Sequence, residues 1–184
     1  PLTEPKVVMV PVGSGLSTVA ASLERQGAIS SETVFTLGVQ AARLDQKLKA
    51  GEYEIKPGMS MRDIMAMMVE GKSITYSVAF PEGWTSEQIV ERLKANDILT
   101  GPVASIPLEG TLLPDTYKFT RGTTREQILD RMRKEQEKQL TAIWNRRAKD
   151  LPLASPRELV VLASIVEKET GKADERTRVA GVFV

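Results

Sequence analysis

The sequence predicts an α+β fold in which short β-strands are followed by a mainly helical part. Three observations lead to this prediction. Residues 6–12 and 73–80 are β-branched runs bounded by turn residues, and residues 51–56 alternate polar with apolar side chains, as strands do. Amphipathic helix patterns follow several glycine turns. Residues 125–149 form one long charged stretch whose apolar side chains recur at helical spacing.

The composition is that of a folded protein, and it excludes several kinds of chemistry. The 184 residues are 41% apolar and 27% charged. The chain has no histidine and no cysteine, which excludes histidine-dependent and thiol nucleophiles, disulfides and ordinary zinc, haem or iron–sulfur sites. Any catalysis must therefore use carboxylates, lysines, hydroxyls or the backbone. We expect neither a metal nor another cofactor.

Helix starts recur after four glycines along the chain. Each glycine is followed six residues later by a β-branched apolar residue and ten residues later by a long one; the four are Gly13, Gly58, Gly83 and Gly122. Ser60, Thr85 and Thr124 lie two residues after the last three, where a helix-capping hydroxyl belongs. The glycines are too unevenly spaced for a solenoid. They indicate either four ordinary helix starts or a duplicated module.

Two more helices are predicted ahead of the strand at residues 51–56. The first covers residues 31–37, with Ser30 or Ser31 as its N-terminal cap. The second covers residues 41–49 and ends before a glycine that is suited to terminate a helix.

The second half is predicted to consist of a linker and two helices. Residues 96–112 hold two prolines and two glycines without a sustained period, which is typical of a linker or crossover. A long helix is predicted over residues 125–149. A last helix follows Pro156, with Ser155 as its cap, and extends to Gly171 as its C-terminal signal.

Charge and hydropathy argue against nucleic-acid and membrane-spanning roles. The 25 basic and 24 acidic residues give a net charge of +1. The basic residues of segment 121–149 are interleaved with acidic ones at helical spacing, which is more typical of a solvated helix face than of a phosphate track. A DNA- or RNA-binding domain would depend on that segment. The longest apolar run, residues 159–166, is far shorter than the roughly 20 residues that cross a bilayer.

Two glutamates near the end of the last predicted helix are candidate catalytic groups. At about 100° per residue, Glu167 and Glu169 project about 200° apart, so they must play different parts. Glu169 lies about 40° from Ile165 and continues the apolar stripe, whereas Glu167 lies on the side of small residues such as Ser164. A carboxyl withdrawn from water favours its protonated form, as a general acid must, so this geometry favours Glu169. Alternatively, both glutamates are surface residues that end a helix.

A second candidate site lies in residues 109–119. A Pro-Asp-Thr turn precedes a short strand there, and Asp115 can accept a hydrogen bond from its own backbone. In one interpretation this is a structural turn that leads into a short strand, with Leu113, Tyr117 and Phe119 as buried anchors. In the other it is a wall of a sugar site, with Tyr117 offering a ring face and Asp115 an acceptor.

Four segments, in order along nearly the whole chain, carry a family resemblance. They are Lys-Ala-Gly-Glu-Tyr at 49–53, Phe-Pro-Glu-Gly-Trp-Thr at 80–85, Glu-Gly-Thr-Leu-Leu-Pro-Asp-Thr-Tyr at 109–117 and Ala-Ser-Ile-Val-Glu-Lys-Glu-Thr at 163–170. Glu175-Arg176 and Val-Ala-Gly-Val-Phe at 179–183 follow. Together these segments resemble the endolytic murein transglycosylases of the YceG-like type.

The resemblance implies an enzyme: a peptidoglycan lytic transglycosylase, which is a lyase acting on polysaccharide. It would cleave the β-1,4 bond between N-acetylmuramic acid and N-acetylglucosamine in nascent glycan strands and form a 1,6-anhydro sugar. The second glutamate of the Glu-Lys-Glu-Thr motif is catalytic in that family, which corresponds to Glu169 here. We predict Glu167, Ser164, Asp115 and Tyr117 as substrate-binding residues. The alternative is a non-catalytic peptidoglycan-binding or cell-wall assembly module.

The resemblance also implies the organisation and location of the protein. Residues 1–80 would form a LysM-like βααβ module, and residues 81–184 a mainly helical catalytic part that is incomplete at its C-terminal end. A single-pass anchor ahead of the chain would hold it at the periplasmic side of the bacterial inner membrane. The expected partners are peptidoglycan glycan strands and cell-wall synthesis proteins, with no nucleic acid.

Overall fold

The computed structural model describes residues 2–184, and within that range it contains four strands and seven helices. This mixture of helices and small sheets confirms the predicted α+β class. The elements in chain order are β1 (Lys6–Val10), α1 (Leu16–Arg25), α2 (Glu32–Ala41), β2 (Gly51–Ile55), α3 (Met61–Glu70), β3 (Tyr76–Ala79), α4 (Ser86–Lys94), β4 (Thr116–Phe119), α5 (Arg125–Asn145), α6 (Pro156–Glu169) and α7 (Arg176–Ala180). β1 pairs with β2, and β3 pairs with β4.

The chain divides into two compact units. The first unit comprises the residues up to Tyr76 together with Lys118–Gly122, and the second comprises Ser77–Tyr117 and Thr123–Val184. The sequence did not reveal that residues 118–122 belong with the first unit. The functional domains predicted over residues 1–80 and 81–184 stay a prediction.

The first unit is built in the order β1, α1, α2, β2, α3 around one apolar core. The two strands are antiparallel, with Lys6 opposite Ile55 and Val10 opposite Gly51. Alternate strand residues and the apolar faces of the helices supply the buried side chains: Val8, Val10, Val19, Ala20, Leu23, Phe35, Val39, Tyr53, Ile55, Ile64 and Met68. The buried Tyr53 hydroxyl donates to the Lys49 carbonyl at 2.7 Å, so its polar group is satisfied, and burial raises its pKa.

The predicted helix caps are confirmed. Ser60, Thr85 and Thr124 each accept a hydrogen bond from the backbone amide three residues later, and the side chain at that later position accepts from the cap amide in return. The helix start after Gly13 differs from these three, because α1 begins after Gly15 without a side-chain cap.

The predicted helix over residues 41–49 is wrong. Instead α2 begins after its Ser31 cap, continues through Ala41, and is followed by turns. Arg43 has a φ of 55°, a left-handed conformation that a right-handed helix cannot pass through, and the Leu44 amide donates to the Val39 carbonyl at 3.0 Å. The helix therefore ends where the prediction began a new one.

A partly buried ion pair joins β2 to the 118–122 segment within the first unit. The Glu52 carboxylate lies 2.8 Å from Arg121 Nε and accepts a hydrogen bond from the Tyr76 hydroxyl at 2.7 Å. Only 12% of the Glu52 side chain is exposed. Burial opposes ionisation of Glu52, but Tyr76 and Arg121 outweigh it and hold the pKa of this carboxyl below 4.5.

Replacing Glu52 with glutamine is expected to destabilise the protein by about 2 kcal/mol at neutral pH, because the amide cannot neutralise Arg121. The Glu52 pKa is lower in the folded state, so the stabilisation is present above the unfolded-state pKa and is lost as the pH falls through the folded-state pKa. Urea unfolding of wild type and variant at about pH 7 and about pH 3 should show a difference that disappears in acid. Glu54→Gln is the matched control, since its partner Lys56 is exposed and 3.7 Å away. An E52Q effect that did not change with pH would contradict this assignment.

The second unit is dominated by α4, α5 and α6. The Arg125 guanidinium, at the start of α5, donates to carbonyls at and beyond the end of α4: Leu93 at 2.8 Å, Asn96 at 2.9 Å and Gly101 at 2.8 Å. These bonds connect the first residue of α5 to the end of α4 and to the segment that follows it. Within residues 2–184, none of the helices combines the length and the apolarity that crossing a bilayer requires.

Candidate functional site

A cavity of about 520 Å³ lies entirely within the second unit. Its volume is in the range of small-molecule sites, roughly 300–1,000 Å³. Four segments of the chain form its walls: the turn into α4 with the start of that helix, the loop before β4, one residue of α5, and one face of α6. The lining residues are Glu82, Gly83, Trp84, Thr85, Ser86, Ile89, Glu109, Gly110, Leu112, Pro114, Gln136, Arg157, Val160, Val161, Ala163, Ser164, Glu167 and Lys168.

The Glu109–Gly110 loop connects the three helices around the cavity. Both carboxylate oxygens of Glu109 lie 3.1 Å from the backbone amide of Ser86, the first residue of α4. The Gly110 carbonyl accepts from Gln136 of α5 at 3.0 Å, and the Glu109 carbonyl accepts from Arg157 of α6 at 3.3 Å. Hydrogen bonds to one short loop therefore fix the spacing of the cavity walls.

Gly110 is required at its position for two reasons. Its φ is +77°, which side chains other than glycine rarely adopt. A Cβ atom there would also lie 2.7 Å from Val160 Cγ1 of α6, which is closer than carbon atoms can approach. The loop can therefore pack against α6 only with glycine at this position.

Trp84 is the only aromatic side chain among the lining residues, and the sequence analysis did not identify it as a site residue. It is half-buried, between the left-handed Gly83 and the α4 cap Thr85. The signal that could have identified Trp84 from the sequence is its position in the Phe-Pro-Glu-Gly-Trp-Thr segment, one of the four that carry the family resemblance. The cationic side chains of Arg157 and Lys168, which also line the cavity, were not predicted either.

Two of the predicted substrate-binding residues line the cavity. Glu167 is half-buried, and its carboxylate lies 3.1 Å from Arg176 Nη2. Ser164 is one helical turn earlier, and its hydroxyl donates to the Val161 carbonyl at 2.7 Å. That these two residues bind substrate stays a prediction.

The structure does not bring Asp115 and Tyr117 to the cavity. Tyr117 is 5% exposed, and its hydroxyl donates to the Leu113 carbonyl at 2.9 Å. Burial, together with Asp115 and Glu135, raises its pKa to about 12. The Tyr117 ring therefore belongs to the core, as the structural interpretation of this segment expects, and its part in substrate binding stays a prediction. Asp115 is exposed, and its carboxylate accepts from the Thr116 amide at 2.6 Å, as a turn residue does.

Glu169 is the last residue of α6, and it is exposed. The expectation that it continues a buried stripe is wrong, since that stripe ends one turn earlier at Val166, which is 9% exposed. Glu169 is absent from the cavity lining, whereas Glu167 is present, in keeping with their predicted projection to different sides of the helix. Within residues 2–184, the Glu169 carboxylate makes no hydrogen bond or ion pair.

Comparison with known proteins identifies a family for this chain. Residues 8–184 match the model of the YceG-like family. An endolytic murein transglycosylase of Streptococcus pneumoniae (strain D39) is 26% identical over 219 residues, covering 96% of this chain and 39% of that protein. One from Bacillus subtilis (strain 168) is 23% identical over 208 residues, covering 96% of this chain and 57% of that protein.

A solved structure is also similar to this chain. A putative YceG-like protein of Listeria monocytogenes, known from a crystal structure, aligns with a TM-score of 0.44 and 28% identity, covering 95% of this chain and 67% of that one. The chain spans less than two thirds of the length of the curated relatives. The family model covers all but the first seven residues, and the chain therefore belongs to the YceG-like family.

Proposed function

We propose that this chain is part of an endolytic lytic transglycosylase that cleaves nascent peptidoglycan glycan strands. The observation that carries the proposal is the arrangement of α6, whose cavity-lining face ends within two residues of the glutamate identified by the family motif. The names of the pneumococcal and Bacillus relatives support the same reaction class.

The proposed reaction needs one carboxylic acid from the protein. Glu169 protonates the oxygen that leaves as the β-1,4 bond between N-acetylmuramic acid and N-acetylglucosamine breaks. As a carboxylate it then accepts the proton of the C6 hydroxyl, whose oxygen attacks the anomeric carbon of the same sugar and closes the 1,6-anhydro ring. The nucleophile belongs to the substrate, so no second catalytic carboxylate is required.

The cavity offers a suitable surface for a sugar. Trp84 presents an aromatic face, and sugars pack their apolar C–H faces against such rings. Glu167 and Ser164 supply polar groups on the α6 wall, where they would bind hydroxyl or acetamido groups. We propose that these three residues position one sugar of the strand beside the end of α6.

We propose that the first unit is the LysM-like module and that it binds glycan. Its β1, α1, α2, β2 order agrees with the βααβ arrangement of a LysM-like module, which is what supports this assignment. We place the intact protein at the periplasmic side of the bacterial inner membrane, held there by a single-pass anchor, with cell-wall synthesis proteins as partners.

Product analysis tests the reaction class. The intact protein is incubated with purified glycan strands, with and without a chelator, and the products are examined by mass spectrometry. We expect 1,6-anhydro-muramic ends in both conditions. Reducing ends would identify a hydrolase instead, and binding of strands without cleavage would favour the non-catalytic wall-binding alternative.

A further inference from the structure

The end of α6 and the start of α7 are joined by four side chains, which we call the α6–α7 clamp: Glu167, Thr170, Glu175 and Arg176. The Thr170 hydroxyl donates to Glu175 Oε2 at 2.9 Å and accepts from the Lys172 amide at 3.1 Å. Arg176 Nη2 lies 3.1 Å from Glu167 Oε2. Two contacts thus connect α7 to the last turn of α6, one on each side of Glu169 in sequence.

Thr170 is unusual among the residues near the cavity. It is one of only two buried polar residues in the part of the chain that the structure describes, at 8% exposure. It leaves the helix in an extended conformation, with a φ of −149°, and its amide still donates to the Val166 carbonyl. Its hydroxyl both donates to Glu175 and accepts from the Lys172 amide. A buried residue at a helix end, with its amide and its hydroxyl both hydrogen-bonded, fixes the backbone at a point where helices ordinarily fray.

Glu169 immediately precedes this fixed residue. An exposed side chain on the last residue of a helix would sample many positions if that last turn could unwind. A general acid must instead lie within hydrogen-bond reach of the oxygen that it protonates, and a displacement of about 1 Å can lower the rate about 10²-fold.

We propose that Thr170 and Glu175 are positioning residues for Glu169: their hydrogen bond holds the last turn of α6 so that the carboxyl meets the bound glycan in a reactive geometry. The Arg176–Glu167 pair acts on the same turn from the cavity side. This inference depends on the proposed function, because it assumes that Glu169 is the acid.

Isosteric substitutions in the intact protein test the inference. Thr170→Val keeps the shape of the side chain but removes both hydroxyl bonds, so we expect kcat for anhydro-end release to fall about 10- to 100-fold with KM changed by less than about twofold. Thr170→Ser keeps the hydroxyl and should stay within about threefold of wild type. Thr177→Val makes the same change at an exposed position of α7 and serves as the control.

A second variant tests the same hydrogen bond in case Thr170→Val does not fold. Glu175→Ala changes a partly exposed side chain and removes the acceptor of the same bond, so it should lower kcat as Thr170→Val does. The losses should be less than additive in the double variant, because both single variants remove the same Thr170–Glu175 hydrogen bond. Thermal unfolding and circular dichroism establish the folded fraction to which each rate is normalised.

Several results would overturn the inference. These are a normalised kcat within threefold of wild type for T170V and E175A, an equal loss in T170S, a change in KM alone, or additive losses in the double variant. Failure of the proposed function appears differently, because the wild-type protein itself would then release no anhydro ends. Failure of the Glu169 assignment would appear as continued anhydro-end release by Glu169→Gln.

Discussion

Glu169→Gln is expected to abolish release of 1,6-anhydro ends by the intact protein, with a rate loss of about 10²- to 10⁴-fold or more. Glutamine has nearly the same volume and can donate a hydrogen bond, but it cannot transfer a proton. Because Glu169 is exposed and makes no hydrogen bond or ion pair within residues 2–184, the substitution should leave folding unchanged. Mass spectrometry of digested sacculi measures the product directly.

Glu167→Gln is the matched control for this experiment. Both glutamates lie near the end of α6, but Glu167 is paired with Arg176 and faces the cavity. We expect E167Q to weaken substrate binding while keeping much of the catalytic rate. If E167Q abolished product release and E169Q did not, the assignment of the acid would be reversed.

Arg125→Ala is expected to give the largest loss of stability, about 2–4 kcal/mol, because it removes charged hydrogen bonds to several backbone carbonyls at the end of α4. Arg125→Lys should lose part of this amount, since an ammonium group cannot reproduce the planar fork of the guanidinium. Urea or guanidinium unfolding measures the difference.

Arg133→Ala provides the comparison on the same helix. Arg133 forms ion pairs with Glu126 and Asp130 on an exposed face, so its removal should cost less than about 1 kcal/mol. An R125A variant as stable as R133A would show that the α4–α5 connection does not depend on the Arg125 hydrogen bonds.

Local signals in the sequence predicted the helix starts well. Ser60, Thr85 and Thr124 are caps because a hydroxyl three residues ahead of an Asp or Gln can close a capping box without help from the rest of the fold. The end of α2 could not be predicted in the same way. It depends on the left-handed conformation of Arg43, a residue type that gives no local indication of it.

The candidate site was only partly predictable for a related reason. Ser164 and Glu167 share the small-residue side of one helix, and periodicity within a single element is enough to group them. Trp84 and Glu109 join them only through contacts between segments far apart in the chain. For Tyr117, the sequence left open both a buried anchor and a ring that faces a sugar, and the structure places the ring in the core.

The hydrogen bonds between Glu109 and Ser86 affect which chemical groups the cavity can accept. The N-terminus of a helix attracts anions, because its first amides lack partners and the helix dipole is positive there. In α4 that place is already occupied by a carboxylate of the chain itself, with both oxygens 3.1 Å from the amide. An incoming phosphate or carboxylate would have to expel Glu109 to reach this amide, and would release the loop that spaces the walls. The Ser86 amide at the start of α4 is therefore not free to bind an anion that enters the cavity.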